Sequence, residues 1–182
     1  MIGLNATQMV IILCLVCIVY WKTMKKNEQS IKAIAVFEGK IKGIVYFTEI
    51  DGRIAVDVNV SGLKKNAKHG FHVHECGDMS EKCESMCAHF NPTNSIHGCP
   101  GSKQRHVGDL GNLESDGHGV AQYRFYDDMI QLRGQKYNIL GRGLIIHADE
   151  DDCGRGGNKE SLKTGNAGKR IGCAVIGYAK TK

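Results

Sequence analysis

The amino-acid sequence predicts an all-β domain, an antiparallel sandwich or barrel, placed after an apolar N-terminal segment. Three observations carry this. Short runs of β-branched and aromatic residues recur along the chain, and the clearest of them alternates with period two. No convincing amphipathic helical period occurs between residues 31 and 182. The 23 glycines against two prolines suit many tight turns and argue against a disordered tail. About 150 residues beyond the first segment suffice for one core and are too few for two.

The chain begins with 21 residues that carry no charged side chain, and residues 9–21 are nearly all apolar. Lys22, Lys25 and Lys26 follow. A span needs roughly 17–25 residues, so a short transmembrane anchor is feasible. A cleaved signal peptide would have a basic start and small residues after the apolar run. Tyr20-Trp21-Lys22 stands there instead. The expectation is an anchor or signal segment plus linker over 1–30 and a domain over 31–182. With lysines only on the C-terminal flank, the positive-inside rule puts the domain in the cytoplasm; the alternative is secretion after signal cleavage.

Within the domain the first strand is expected at 31–37 and the next at 44–48. Asp51-Gly52 is a hairpin signal. It leads into Ile54, Val56, Val58 and Val60, which alternate with Ala55, Asp57, Asn59 and Ser61, one face buried and one wet. His72 and His74, spaced i, i+2, read as a strand pair pointing to one side of a sheet. After a turn at 115–119, Ala121, Tyr123 and Phe125 share a face, and runs at 144–147 and 171–179 complete the set.

Between Gly70 and Asp151 lie His72, His74, His89, His97, His106, Asp109 and His147, which leaves only His69 and His118 of the eight histidines. Imidazole suits Zn, Cu, Fe and Ni, and carboxylate is its harder partner. His89, His97, His106 and Asp109 follow one another across a Gly-, Asn- and Pro-containing segment that can wrap round an ion. Seven ligand-type residues at these spacings predict a site for two metal ions.

The run GFHVHECGD from Gly70 to Asp78 resembles the first signature of the copper/zinc superoxide dismutases, and GNAGKRIGCA from Gly165 to Ala174 resembles the second. His89-Phe-Asn-Pro92, His97-Gly98, RHVGDLGN from Arg105 to Asn112, and Gly156-Gly-Asn158 match in order and spacing. The resemblance covers about residues 31–179. It implies an eight-stranded antiparallel Greek-key β-barrel with two long functional loops, at about 75–105 and 148–169. It implies copper held by His72, His74, His89 and His147, and zinc held by His89, His97, His106 and Asp109, with His89 bridging the ions. The reaction it implies converts superoxide to dioxygen and hydrogen peroxide by copper redox cycling, with a structural zinc and His89 delivering a proton.

Arg170 matches the arginine that holds superoxide beside copper; its guanidinium is always charged and presents directional donors. Asp151 matches an aspartate that hydrogen-bonds a copper-ligand and a zinc-ligand histidine at once, unless it is only one more charge in the acidic run 149–152. Lys159, Glu160, Lys163 and Thr164 match positions that guide the anion, although Lys159 replaces an often acidic residue. Cys83 and Cys173 match the family's disulfide. Cys76, Cys87, Cys99 and Cys153 depart from the usual pattern; four cysteines allow three pairings, and free thiols are the default in a reducing compartment. Homodimerisation is implied by resemblance, with Cys76 and Tyr178 at subunit-contact positions, and a copper-delivery protein is a possible partner.

Other classes fit less well. A net charge of +5 with Lys and Arg spread along the chain gives no support for nucleic-acid binding. A silent homologue, copper chaperone or metal buffer should lack a copper histidine or Arg170, and neither is lacking. A zinc hydrolase needs an open zinc position, and the zinc set here already has four ligands.

Overall fold

The computed structural model describes residues 5–26 and 31–180, with side-chain surroundings for 5–20 and 31–180. They fall into two units, Met1–Ser30 and Ile31–Lys182. The first unit contains helix α1, Ala6–Lys26. Its start is a capping box: the Gln8 N–H donates to Asn5 Oδ1 at 2.9 Å and the Asn5 N–H to Gln8 Oε1 at 3.0 Å. Met9, Ile11, Leu13, Val16 and Val19 are all exposed, so α1 is apolar on every side over residues 9–19. Among the described residues no helix is long and apolar enough to cross a membrane. Residues 1–4, the linker 27–30 and the side chains of Lys22, Lys25 and Lys26 lie outside the described residues.

The second unit is two antiparallel sheets. Strands β1 (Lys32–Phe37), β2 (Lys42–Ile50) and β3 (Arg53–Ser61) form a meander in the first. The chain then crosses to β4 (Lys68–His74) and β5 (Asp109–Glu114), and returns to β6 (Val120–Asp127) beside β3. Strand β7 (Gly143–His147) pairs with β4, and β8 (Arg170–Val175) with β7. The last piece, β9 (Gly177–Tyr178), pairs with β1. The orders are β6-β3-β2-β1-β9 and β5-β4-β7-β8, a Greek-key sandwich.

Alternation drives the meander. Val45 and Phe47 of β2 and Ile54, Val56, Val58 and Val60 of β3 point into the core, where they meet Phe71, Leu113 and Ile146 from the other sheet. Ala55, expected on the wet face, is fully covered as well. Asp51 and Gly52 have φ of +49° and +78°, the two positive values that a two-residue turn between paired Ile50 and Arg53 requires.

Two features differ from the sequence expectation. Nine strands rather than eight occur among the described residues, because the run expected at 171–179 breaks at Ile176. Ile176 is fully buried, and its N–H and C=O bond Arg142 O and Gly141 N at 2.9 and 2.7 Å, so the chain changes sheets there. Strand β5 was not anticipated. Asp109 and Asn112 interrupt its apolar pattern, Gly111 has φ +82°, and the β4–β5 register shifts between Gly70 and His72. Between β4 and β5, and between β7 and β8, lie two long connections, 75–108 and 148–169. The second contains a single helical turn, α2 (Ser161–Thr164).

Candidate metal centre

The site grows from the ends of β4 and β7 and from the two long connections. Strand β4 is buried from His69 to His74, so its histidines face protein rather than water. His74 bridges to His89 in the first connection, which brings that ring beside β4. His147 closes β7 at a register shift against β8. Two groups of four buried side chains result: His72, His74, His89 and His147, and then His89, His97, His106 and Asp109. Within each group one ligand atom per residue lies within 4.8 Å of the others. His89 belongs to both, its ring centroid 4.1 Å from that of His72 and 5.3 Å from that of His97.

Hydrogen bonds set which nitrogen of each ring is free. His72 Nε2 donates to Asp151 Oδ2 at 2.7 Å, and His97 Nε2 to Asp151 Oδ1 at 2.8 Å. His74 Nδ1 donates to Cys87 O at 2.9 Å, and His147 Nδ1 to Gly168 O at 3.1 Å. A neutral imidazole that donates through one nitrogen carries a bare lone pair on the other. On the three rings of the first group those other atoms, His72 Nδ1, His74 Nε2 and His147 Nε2, are buried and have no hydrogen-bond partner, as is His89 Nε2. Buried polar atoms without partners are costly, and a cation satisfies a convergent set of them.

The second group is built round one carboxylate. Asp109 Oδ2 accepts the backbone N–H of His106 at 2.7 Å and of Gly98 at 3.1 Å, which fixes its orientation. Its Oδ1 is approached by His89 Nδ1 at 2.9 Å, His97 Nδ1 at 3.0 Å and His106 Nδ1 at 3.1 Å. Three imidazole nitrogens and a carboxylate oxygen, all buried, form a closed four-ligand set with the donor chemistry of structural zinc. The first set, all nitrogen, suits tetragonal Cu(II). The residues therefore fit both ions.

Groups behind the two sets hold them in place. Asn112 and Asp151 form a reciprocal pair, the Asn112 amide donating to Asp151 O at 2.9 Å and the Asp151 N–H to Asn112 Oδ1 at 2.8 Å. Arg105 is buried and donates to Asp109 O at 2.5 Å and to Asp127 Oδ2 at 2.6 Å. Gly165, with φ +65°, lies so close to the Asp151 carboxylate and His97 Nε2 that a Cβ would collide with both. His69, left over at the sequence level, is buried and donates from Nδ1 to His147 O at 2.8 Å. His118 is exposed and belongs to neither group of four. Sequence reasoning assigned no role to Asn112, Arg105 or His69. The first two stood inside a quoted motif, and that was their only signal.

Arg170 stands at the mouth. Its Nη1 donates to Cys83 O at 2.7 Å and Glu84 O at 3.1 Å, and its Nη2 to Cys87 O at 2.6 Å. With His74 and His147 it lines an open cleft of about 1120 Å³ that also includes Lys159, Glu160, Lys163 and Thr164. Thr164 Oγ1 donates to Glu160 Oε1 at 3.0 Å.

Among the described residues, Cys83 is joined to Cys173, Cys76 to Cys87 and Cys99 to Cys153, while Cys14 and Cys17 are free. The four cysteines whose pairing sequence left open, with free thiols as the default, are thus bridged. Cys99–Cys153 ties the connection carrying His97 to the one carrying Asp151.

Burial and neighbouring histidines push His72 down to about 3, against the lift from Asp151. Burial likewise brings His147 to about 4, opposed by the Gly168 carbonyl. Burial would lower His97, but Asp109 and Asp151 outweigh it and carry it to about 9. Burial would raise Asp109, yet its three histidine partners hold it well below the carboxylate range. His72 and His147 are neutral in the fold and become charged in the unfolded chain below about 6.5. Their contribution to the metal-free chain is present above pH 6.5 and is lost as pH falls through 4 and then 3, at about 1.4 kcal/mol per pH unit each. His97 acts oppositely: its contribution is present below about pH 6.5 and lost as pH rises through 9. Urea unfolding of the metal-free chain should therefore show greatest stability near neutrality and a steep fall below pH 6. A profile flat from pH 4 to 7 contradicts this assignment of the neutral rings.

Residues 41–176 match the family described as copper/zinc superoxide dismutase (SODC). The chain is 58% identical over 176 residues to the protein named superoxide dismutase [Cu-Zn] of Paramecium bursaria Chlorella virus 1, covering 93% of this chain and 94% of that one. It is 47% identical over 151 residues to superoxide dismutase [Cu-Zn] A of Xenopus laevis, covering 81% of this chain and 98% of that one. Among solved structures, the crystal structure of the clock protein EA4 superposes with a TM-score of 0.79 at 42% identity, covering 82% of this chain and 96% of that one.

Proposed function

Because the chain belongs to the copper/zinc superoxide dismutase family, we propose that His72, His74, His89 and His147 hold its copper, that His89, His97, His106 and Asp109 hold its zinc, and that Arg170 anchors superoxide. The chain's activity is the conversion of superoxide to dioxygen and hydrogen peroxide. Copper, when bound, supplies the one-electron couple for both half-reactions. The observation that carries the residue assignment is the set of bare buried nitrogens, each on a ring whose other nitrogen is engaged.

His89 faces both clusters, Nε2 toward the first and Nδ1 toward Asp109. Its Nε2 is the atom suited to hold a proton and pass it to the reduced substrate. Arg170 is held by three carbonyl oxygens, so its remaining donors are oriented toward the cleft without a change of protonation. The cationic Lys159 and Lys163 draw the anion inward, an effect that salt screens. Arg170→Ala is expected to lower kcat/KM on the order of tenfold to a hundredfold while copper and zinc contents stay at parent levels. Stopped-flow decay of superoxide at low and high ionic strength, with metal analysis, measures this. Equal rates for parent and variant at low salt would remove the anchoring role.

A second copy of this chain is the proposed partner, supported by the exposure of Tyr178 on β9. Sedimentation at micromolar concentration tests it, and a monomer there counts against it. A copper-delivery protein is the other partner proposed.

For location, the proposal is that residues 1–21 stay attached and hold the enzyme at a membrane with its domain in the cytoplasm. The uncharged first 21 residues, the lysine flank and the apolar surface of α1 support it. A second reading, a secreted enzyme after signal cleavage, is favoured by the three disulfides, which persist in oxidising surroundings. N-terminal sequencing of protein from its native source separates them. The anchor reading expects residues 1–21 intact in the membrane fraction, and a mature chain that begins between residues 22 and 31 overturns it.

A further inference from the structure

One carbonyl group at the cleft mouth serves two functional side chains. Cys87 O accepts from His74 Nδ1 at 2.9 Å and from Arg170 Nη2 at 2.6 Å. Cys87 itself has φ +64° and ψ −154°. This backbone region is almost exclusive to glycine, because a Cβ collides with its own peptide units there, and it persists only where surroundings over-determine it. Side-chain packing does not hold it: Cys87 is exposed, and it follows a single 3-10 turn at 84–86.

A covalent bond helps to hold it, beside backbone hydrogen bonds at both of its neighbours. Cys87 is bonded to Cys76, 11 residues away, just beyond the end of β4. The Cys76 N–H donates to Met86 O at 3.2 Å and the Glu75 N–H to Ala88 O at 2.9 Å, so the bridge lies across a short ladder. Both ends of the closed segment adjoin ligands, His74 before Cys76 and His89 after Cys87. Arg170 also contacts Cys83 O, and Cys83 is bonded to Cys173. The two carbonyls that grip the guanidinium most closely thus belong to residues fixed by disulfides.

We propose that the Cys76–Cys87 disulfide is a positioning element for the substrate site, holding Cys87 in a glycine-type conformation so that its carbonyl orients both Arg170 and His74. This rests on the reading of Arg170 as the anion anchor. Freed of the bridge, a side chain at 87 drives the backbone toward an ordinary conformation, and the shared carbonyl turns away from both donors. Glycine at 87 needs no bridge to keep that conformation.

The test compares C76S with C76S/C87G in the full, metal-loaded chain. Both lose the bridge and should lose thermal stability alike. C76S is expected to lower kcat/KM on the order of tenfold at unchanged copper and zinc content, and to alter the Cu(II) electron paramagnetic resonance (EPR) spectrum as His74 loses its fixed acceptor. C76S/C87G should regain most of the rate and the parent spectrum. C87S, which keeps a side chain in the strained position, repeats the comparison should C76S fail to load metal. Parent-like kcat/KM in the bridge-less single variants, or no recovery in the double variant, overturns the proposal. So does peptide mapping that pairs Cys76 or Cys87 elsewhere. A parent chain with no dismutase activity would instead overturn the functional reading.

Discussion

His89→Ala should leave a folded chain whose dismutase rate has fallen by on the order of 10²- to 10⁴-fold and whose two metal sites no longer sense one another. His89 is the one side chain common to both four-residue groups. Its Nε2 is buried without a partner, and its Nδ1 lies 2.9 Å from Asp109 Oδ1. Removing the ring deletes one member of each set and the atom proposed to carry the proton together. It also opens a hole beside His72, whose ring centroid is only 4.1 Å away. Stopped-flow superoxide decay with copper and zinc analysis reads the loss. His118→Ala, at an exposed histidine in neither group and outside the cleft lining, should match the parent. A His89→Ala variant with parent activity would end the bridging assignment.

Asp151→Ala should weaken retention of both metals although Asp151 is a member of neither four-residue group. Its two oxygens engage His72 Nε2 and His97 Nε2 at 2.7 and 2.8 Å, one ring from each group, and it is buried. Burial would raise this carboxyl, but the two histidine hydrogen bonds bring it down to about 2, so it accepts from both rings as an anion. Alanine leaves two buried ring N–H groups unpaired, at about 1–3 kcal/mol each, and frees both rings to rotate. Loss of such an orienting partner lowers metal affinity about 10- to 100-fold. Asp151→Asn should be intermediate, since an amide offers an acceptor to one ring only. Chelator competition gives the two affinities separately; an Asp151→Ala chain that keeps both at parent values contradicts the coupling.

What sequence could and could not reveal follows from the range of the interactions. The alternation of Ile54, Val56, Val58 and Val60 was legible because one face of β3 is dry, and the Asp51-Gly52 turn because only certain residues take two positive φ values. The histidines that cluster in the fold stood out through their residue type and order. Strand β5 was hidden because Asp109 and Gly111 break the period. The turn α2 is four residues long, too short to show a helical period. The break at Ile176 depends on burial between two sheets that no local pattern reports. Cys99 and Cys153 are 54 residues apart in sequence, and only the folded connections bring them together. The carbonyls that hold Arg170 lie 83 to 87 positions away, and backbone acceptors leave no trace in side-chain identity.

The bridge formed by His89 is the central claim, and one spectrum tests it most directly. The full chain is loaded with one equivalent of Cu(II), and its electron paramagnetic resonance is recorded before and after one equivalent of Zn(II). A shared imidazole ring predicts that zinc changes the copper spectrum in the parent and leaves it unchanged in His89→Ala. Identical parent spectra with and without bound zinc would contradict the account.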